Sequence, residues 1–257
     1  MIEYIAEKIE KADLVLVGLG EELDACTELK KDIQYQSIAQ RLTDSWMLPF
    51  VEKAKIEEMR EQKQEFYKAL SACLYKKNYF IVSLCLDGMI RASGLDHNRI
   101  VEPCGGYEKL QCSEKCSAEL YDVPKKVMQQ VGVFLNDRLT EEELTEPVCP
   151  VCGKALVFNN ANALIYAEEG YLDQWSIYKK WLQGTVNKEV CILEIGVGMK
   201  YPTVIRWPFE KITFYNKKSE LFRVHSRLYQ ISEEIKERGH GICQKPEDFI
   251  KELSKVL

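Results

Sequence analysis

Four of the ten cysteines fall into two tight pairs, Cys112-x3-Cys116 and Cys149-x2-Cys152, separated by 32 residues. Four thiolates at this spacing can surround a tetrahedral Zn²⁺, because each short loop brings two sulfurs to one side of the ion. The second pair, Val148-Cys149-Pro150-Val151-Cys152-Gly153-Lys154, has the form of a zinc knuckle, with a glycine after the second ligand to allow the tight turn. Two other readings compete. Unrelated surface thiols would leave four exposed sulfurs with nothing to stabilise them. A redox pair fits poorly, since four ligands fill the coordination sphere and the knuckle does not sit at a βα turn. A structural zinc that folds its own segment is expected.

The remaining cysteines, Cys26, Cys73, Cys85, Cys104, Cys191 and Cys243, are scattered, mostly in apolar stretches where cysteine behaves as a small buried hydrophobe. A chain of 257 residues does not need disulfides to build a core. Two Gly-x-Gly turns, Gly18-Leu19-Gly20 and Gly196-Val197-Gly198, each follow an apolar run. Position 23 is leucine, so the first is not a full dinucleotide fingerprint, and the bland reading is two tight βα turns. In an open α/β sheet, however, ligands bind outside the carboxyl ends of the strands, where both turns would lie. Glu21 and Glu22 oppose a pyrophosphate at the first turn, and Arg206 with Lys200 is a candidate to offset them. His97, His225 and His240 read as surface or turn residues.

The elements that would carry these groups alternate. Met1 to Lys11 predicts an amphipathic helix, and Leu14 to Val17 a short strand. Val51 to Lys77 is helical in composition with a break near its middle, and Phe80 to Leu84 is a buried strand ended by an Asp87-Gly88 turn. Residues 104–155 change to Cys, Glu, Lys, Pro and Gly, with one helix at Pro124 to Asn136. Gly170 to Gln183 carries an aromatic stripe of Tyr171, Trp175, Tyr178 and Trp181, read as core. Val190 to Ile195 and Ile212 to Tyr215 read as strands, the latter closed by Asn216, and Pro246 opens a last helix. The expected fold is α/β: a Rossmann-like, doubly wound parallel sheet formed by residues 1–103 and 156–257, with a small zinc-ribbon-like domain, 104–155, inserted.

Forty acidic against 35 basic side chains give a net charge of −5, so no global positive field gathers nucleic acid or an anionic membrane. The apolar runs stop far short of the roughly 20 residues of a bilayer span, and the start has no signal-peptide pattern. Neither membrane nor nucleic acid is expected as a partner, and a cytoplasmic location is.

In order along the chain stand Ala12-Asp13 before an apolar strand and Gly-x-Gly, then Ser83-Leu84-Cys85-Leu86-Asp87-Gly88, then Val101-Glu102-Pro103-Cys104-Gly105-Gly106. The two cysteine pairs, Gly196-Val197-Gly198 and Asn216 follow. This order resembles the sirtuin family over nearly the whole chain. Leu193 to Gly198, with Ile205-Arg206-Trp207-Pro208-Phe209-Glu210, looks most like the bacterial branch that includes the macrodomain-linked sirtuins, whose members include protein ADP-ribosyltransferases and deacylases.

The resemblance implies NAD in the cleft between a large Rossmann-like and a small zinc domain. It implies that Gly18 and Gly20 belong to the first cofactor loop and that Asp87 contacts the nicotinamide carboxamide. Gly196, with Gly198 in the same turn, would contact phosphate and ribose, and Asn216 would face the adenosine ribose. There are departures. Where sirtuins carry Thr-Gln-Asn-x-Asp, this chain has Leu84 and Cys85 in place of the glutamine and asparagine, and Cys104 stands at the histidine position. A histidine there serves as general base, whereas a thiol near its ordinary pKa of about 8.5 is a poor proton shuttle. Glu22 replaces the usual serine of the first loop, and Cys85 and Cys104 read as small apolar fillers or as a redox-sensitive pair. The implied function is an NAD-dependent protein ADP-ribosyltransferase or deacylase with a degraded centre and a protein substrate. The alternatives are an inactive module that binds NAD or ADP-ribose, and a protein-interaction scaffold.

Overall fold

Helix α1, Ile2–Lys11, buries Ile5, Ala6 and Ile9 and delivers the chain to β1, Leu14–Leu19, all of whose residues are buried. The computed structural model describes residues 1–43, 45–136, 138–140 and 143–257. Helices α2 (Ala25–Leu29) and α3 (Ile33–Arg41) are capped by Asp24 and Asp32, whose carboxylates accept from the N–H groups of Cys26 and Tyr35. The helical stretch expected over 51–77 is two helices, α4 (Leu48–Glu58) and α5 (Arg60–Cys73), which meet at Met59. Strands β2 (Tyr79–Ser83) and β3 (Ile100–Val101) follow, with Gly88 left-handed at φ 64° in the turn after β2.

The inserted segment holds β4 (Gly105–Cys112), β5 (Tyr121–Asp122), α6 (Lys125–Phe134) and β6 (Leu156–Asn160). They form an antiparallel sheet in the order β5-β4-β6, so this sheet runs past the return expected at residue 156. Phe158 of β6 packs against Phe50 of α4 and Tyr107 of β4, with ring centroids 4.7 and 4.9 Å apart, and so ties the small sheet to the helical layer.

The chain then forms α7 (Leu172–Gln183), β7 (Val190–Ile195), α8 (Arg206–Tyr215), β8 (Ser219–Val224), β9 (Gly239–Ile242) and α9 (Pro246–Leu253). Six strands run parallel in the order β3-β2-β1-β7-β8-β9. Their order reverses between β1 and β7, which opens a crevice at the carboxyl ends of those two strands. Both faces of β1, β2 and β7 are covered, as continuous apolar runs require. Of the aromatic stripe on and just before α7 only Tyr178 is buried, while Tyr171, Trp175 and Trp181 are half-buried against the core: Tyr178 and Trp181 pack on Phe80 at 5.2 and 5.7 Å, and Trp181 Nε1 donates to Asn78.

One expected strand is a helix. Ile212 to Tyr215 forms the last turn of α8, whose Arg206, Phe209 and Thr213 are buried at spacings of three and four. A four-residue apolar run does not distinguish a strand from one turn of a buried helix, and the longer period decides it.

Candidate functional site

The four paired cysteines come together. Their sulfurs lie within 4.8 Å of one another, with Cys112 and Cys152 Sγ 3.4 Å apart and Cys116 and Cys149 Sγ 3.6 Å apart. Zn–S bonds of about 2.3 Å in a tetrahedron place sulfurs roughly 3.8 Å apart, so the donor set fits a zinc ion in spacing and chemistry. Each pair sits on a tight turn: Lys115 (φ 47°) donates its N–H to Cys112 O, and Gly153 (φ 71°) to Cys149 O. Backbone N–H groups of Cys152 and Val151 favour the Cys149 thiolate, whose pKa is held down at about 6.

At the carboxyl edge of the large sheet the two glycine turns touch. Gly20 N–H donates to Ile195 O, and a Cβ on Gly20 would lie 2.2 Å from Val197 Cα and 2.4 Å from Gly196 O. Gly196 is left-handed at φ 66°. Gly18 has a different use, since a Cβ there would strike Ile205 and Phe209, the latter on α8. The first loop then turns its carboxylates onto the later turns. Gly198 N–H donates to Glu21 Oε2 at 2.8 Å, Ser226 N–H donates to Glu22 Oε2 at 3.2 Å, and the Ser226 hydroxyl donates to Glu22 Oε1. Beside these contacts lies an open cleft of about 730 Å³, bordered by Glu21, Glu22, Gly198, His225 and Ser226 and by four cationic side chains, Lys31, Lys63, Arg227 and Lys245.

Asp87, Cys85 and Cys104 lie on the loops after β2 and β3, at the same edge, and all three are buried. Asp87 accepts from the N–H groups of Ala25 and Met89, both at 2.9 Å. Burial first, then the neighbouring Asp24, push its carboxyl up to about 7. The Cys85 thiol donates to Gly20 O at 3.4 Å, and burial holds its pKa well above the ordinary value. Burial, reinforced by Glu21, pushes the Cys104 thiol up to about 12. Next to it, Glu102 is buried and paired with Arg91 at 2.6 Å, its carboxyl shifted upward by burial.

A buried charge network supports the turns, and sequence reasoning missed it. Glu194 of β7 and Arg223 of β8 face each other in register and pair through two hydrogen bonds of 2.6 and 3.0 Å. Glu210 joins at 2.8 Å from Arg223 Nη1. Arg206 donates to Val197 O at 2.8 Å and Leu228 O at 2.6 Å, so it fastens together the turns after β7 and β8. It was expected to offset the acidic first loop; its guanidinium does feel Glu21, while its hydrogen bonds go to these carbonyls. The sequence signal was there: one acid and one base at matching positions in two otherwise apolar strands. His225 follows β8 and lines the cleft; its Nδ1 accepts from the N–H groups of Arg227 and Leu228, and burial lowers its pKa. His240 lies in β9, not in a turn.

Asn216 is not at this edge. It ends α8 and donates to Thr185 O and Lys188 O, ahead of the amino ends of β7 and β8. Reading α8 as a strand misplaced it by one strand length, and the residues that do emerge from the carboxyl end of β8 are His225 and Ser226.

No family model matches the chain. It is 24% identical over 265 residues to a protein ADP-ribosyltransferase of Staphylococcus aureus, covering 92% of this chain and 81% of that protein. It is also 26% identical over 143 residues to a probable bifunctional ADP-ribose hydrolase/ADP-ribosyltransferase of Fusarium oxysporum, covering 54% of this chain and 24% of that one. Among solved structures it resembles Sir2Tm bound to a propionylated peptide, with a TM-score of 0.63 at 12% identity over 99% of this chain and 97% of the other. It resembles a Sir2 homologue–NAD complex with a TM-score of 0.56 at 10% identity, over 98% and 92%. The fold is the sirtuin fold.

Proposed function

We propose that this chain, a divergent sirtuin by fold, binds NAD or ADP-ribose at the carboxyl edge between β1 and β7 and acts as a protein ADP-ribosyltransferase rather than a deacylase. The observation that carries the reading is the likeness to the staphylococcal ADP-ribosyltransferase over 92% of the chain, on a fold whose solved examples include an NAD complex. In this assignment residues 1–103 and 161–257 are the nucleotide lobe, and residues 104–160, to the end of β6, the zinc lobe held by Cys112, Cys116, Cys149 and Cys152.

NAD supplies a nicotinamide glycosidic bond whose breakage makes ADP-ribose available for transfer. The chain's own residues set the conditions. Gly20 and Gly196 allow the two turns to approach, and Arg206 fixes the turn that carries Gly198. Asp87 braces the first loop from below through Ala25. Cys104, protonated at neutral pH, takes no proton, so a reaction that needs the family's histidine base is disfavoured, and the acceptor must bring its own base. The same thiol supports a second reading, a module that binds NAD or ADP-ribose without turnover.

Calorimetry with NAD beside an assay of nicotinamide release separates them. Binding with release supports the transferase, binding without release supports the module, and the absence of both removes the nucleotide assignment. A cytoplasmic location is part of this proposal. No helix among them is long and apolar enough to cross a membrane.

A further inference from the structure

Three facts about the carboxyl-edge cleft belong together. Gly198 and Ser226, on the turns after β7 and β8, border the cleft, and the N–H of Gly198 and the N–H and hydroxyl of Ser226 are already taken by Glu21 and Glu22 of the first loop. The second oxygen of Glu21 is buried and has no hydrogen-bond partner. Lys31, Arg227 and Lys245, on the cleft wall, have no ion-pair partner among the described residues.

We propose that Glu21 and Glu22 form an internal anion plug: a phosphate-bearing ligand enters this cleft only by displacing the two carboxylates from Gly198 and Ser226. Backbone N–H groups in a turn are anion-binding groups, and a carboxylate satisfies them as a phosphate oxygen would. Like charges cannot share these donors, so ligand and carboxylates exclude each other. The unpaired Glu21 oxygen marks the plugged arrangement as one that leaves a buried acceptor unsatisfied, which eases its release. The three unpartnered cations give the incoming anion its countercharge once the first loop has moved.

The plug concerns regulation of the site proposed above and rests on that reading only for the nucleoside part of the ligand, so the test uses two probes. Inorganic pyrophosphate reports on the anion donors alone, and ADP-ribose on the whole cleft. The variants are Glu21→Ala, Glu22→Ala and the double change, with Glu61→Ala and the Glu61→Ala/Glu3→Ala double change as charge-matched controls outside the cleft. Melting temperatures verify folding, and the Glu21→Ala variant keeps the Glu22 contacts to Ser226 should the double variant prove unstable.

The double variant is expected to bind pyrophosphate at least tenfold more tightly than the unaltered protein. Hydrogen exchange at Gly198 and Ser226 is expected to quicken in it and to slow again with pyrophosphate. Equal affinity in the unaltered and variant proteins, an equal gain in the charge-matched control, or unchanged exchange at both amides overturns the plug. A gain for pyrophosphate with no binding of ADP-ribose upholds the plug and removes the nucleotide reading. Equal, tight ADP-ribose binding by all the proteins does the reverse.

Discussion

Asp24 and Asp87 each accept a hydrogen bond from the backbone beside the other: Leu86 N–H donates to Asp24 Oδ2 at 3.0 Å, and Ala25 N–H to Asp87 Oδ2 at 2.9 Å. This exchange clasps the loop after β1 to the loop after β2, and it keeps two carboxylates together in a buried place. The fold thereby fixes the stem of the first loop while leaving the carboxylates of Glu21 and Glu22 to contact the later turns.

The clasp has a pH signature. Asp87 sits at about 7 in the folded chain against 3.8 as its ordinary value, because burial and then Asp24 disfavour its charge. Its folded pKa is raised, so the proton it binds stabilises the fold fully below 3.8, and that stability is lost as pH rises through about 7. The difference amounts to something on the order of 4 kcal/mol. Urea unfolding at pH 5 and pH 8 should show stability falling with pH, and Asp87→Asn should flatten that slope. An unchanged slope in the variant would remove Asp87 as its source.

Much of the frame was legible because its signals are periodic or spaced. The four paired cysteines, the strands β1, β2 and β7, and the glycine turns were visible as spacing or as apolar runs. Ile212 to Tyr215 was misread because its length suits either a strand or a helical turn, and Asn216 moved to the wrong end of the sheet with it. The roles of Glu21, Glu22 and Ser226 were hidden because they depend on loops separated by some two hundred residues meeting at one edge. That a Cβ on Gly18 would strike Ile205 and Phe209 was hidden for the same reason.

Thiol chemistry should divide the cysteines. With Cys104 pushed up to about 12, almost none of it is thiolate at neutral pH, and Cys85 lies higher than its ordinary value for the same reason of burial. Cys243 is exposed. Mass spectrometry after alkylation at pH 7.5 should find Cys243 labelled and Cys85 and Cys104 unlabelled until the chain unfolds. Cys104→Ser should leave any nicotinamide release within about twofold, as expected for a residue that does no proton transfer. A loss of a hundredfold would instead make the thiol a participant.

The cysteine centre should carry about one zinc per chain, since four sulfur ligands close a structural site. Cys149→Ser removes a ligand whose thiolate two backbone N–H groups already favour. The metal content should fall to near zero, and the antiparallel sheet, with Cys112 at the end of β4, should lose its protection from hydrogen exchange. The parallel sheet should keep its protection. Full zinc content in the variant would contradict the ligand set.

The Glu194–Arg223 pair should be costly to break on one side. Both side chains are buried, so Glu194→Leu leaves the Arg223 guanidinium with Glu210 and the Gln230 carbonyl alone, and Arg223→Met leaves the Glu194 carboxylate with only Arg206, 3.9 Å away. Each should cost about 2–4 kcal/mol, whereas the same two changes combined, Glu194→Leu with Arg223→Met, should cost less than the sum. Denaturant midpoints for the cycle measure the coupling. Additive losses would mean that the two charges do not depend on each other.

Gly20→Ala tests whether the two glycine turns must touch. The new Cβ would lie 2.2, 2.4 and 2.5 Å from Val197 Cα, Gly196 O and Val197 N, all backbone atoms that cannot swing aside as a side chain can. The turns must part, which strains the Gly20 N–H bond to Ile195 O and moves Gly198 away from Glu21. A loss of about 1–3 kcal/mol is expected from the forced shift. Gly132→Ala is the matched comparison, because nothing lies within 4 Å of a Cβ there, in the last turn of α6. That change should stabilise the chain by up to about 0.5 kcal/mol through helix propensity. Paired thermal melts should therefore move in opposite directions. If Gly20→Ala melts with the unaltered protein, the close approach of the two turns is not required by the fold, and a cleft shaped by that approach goes with it.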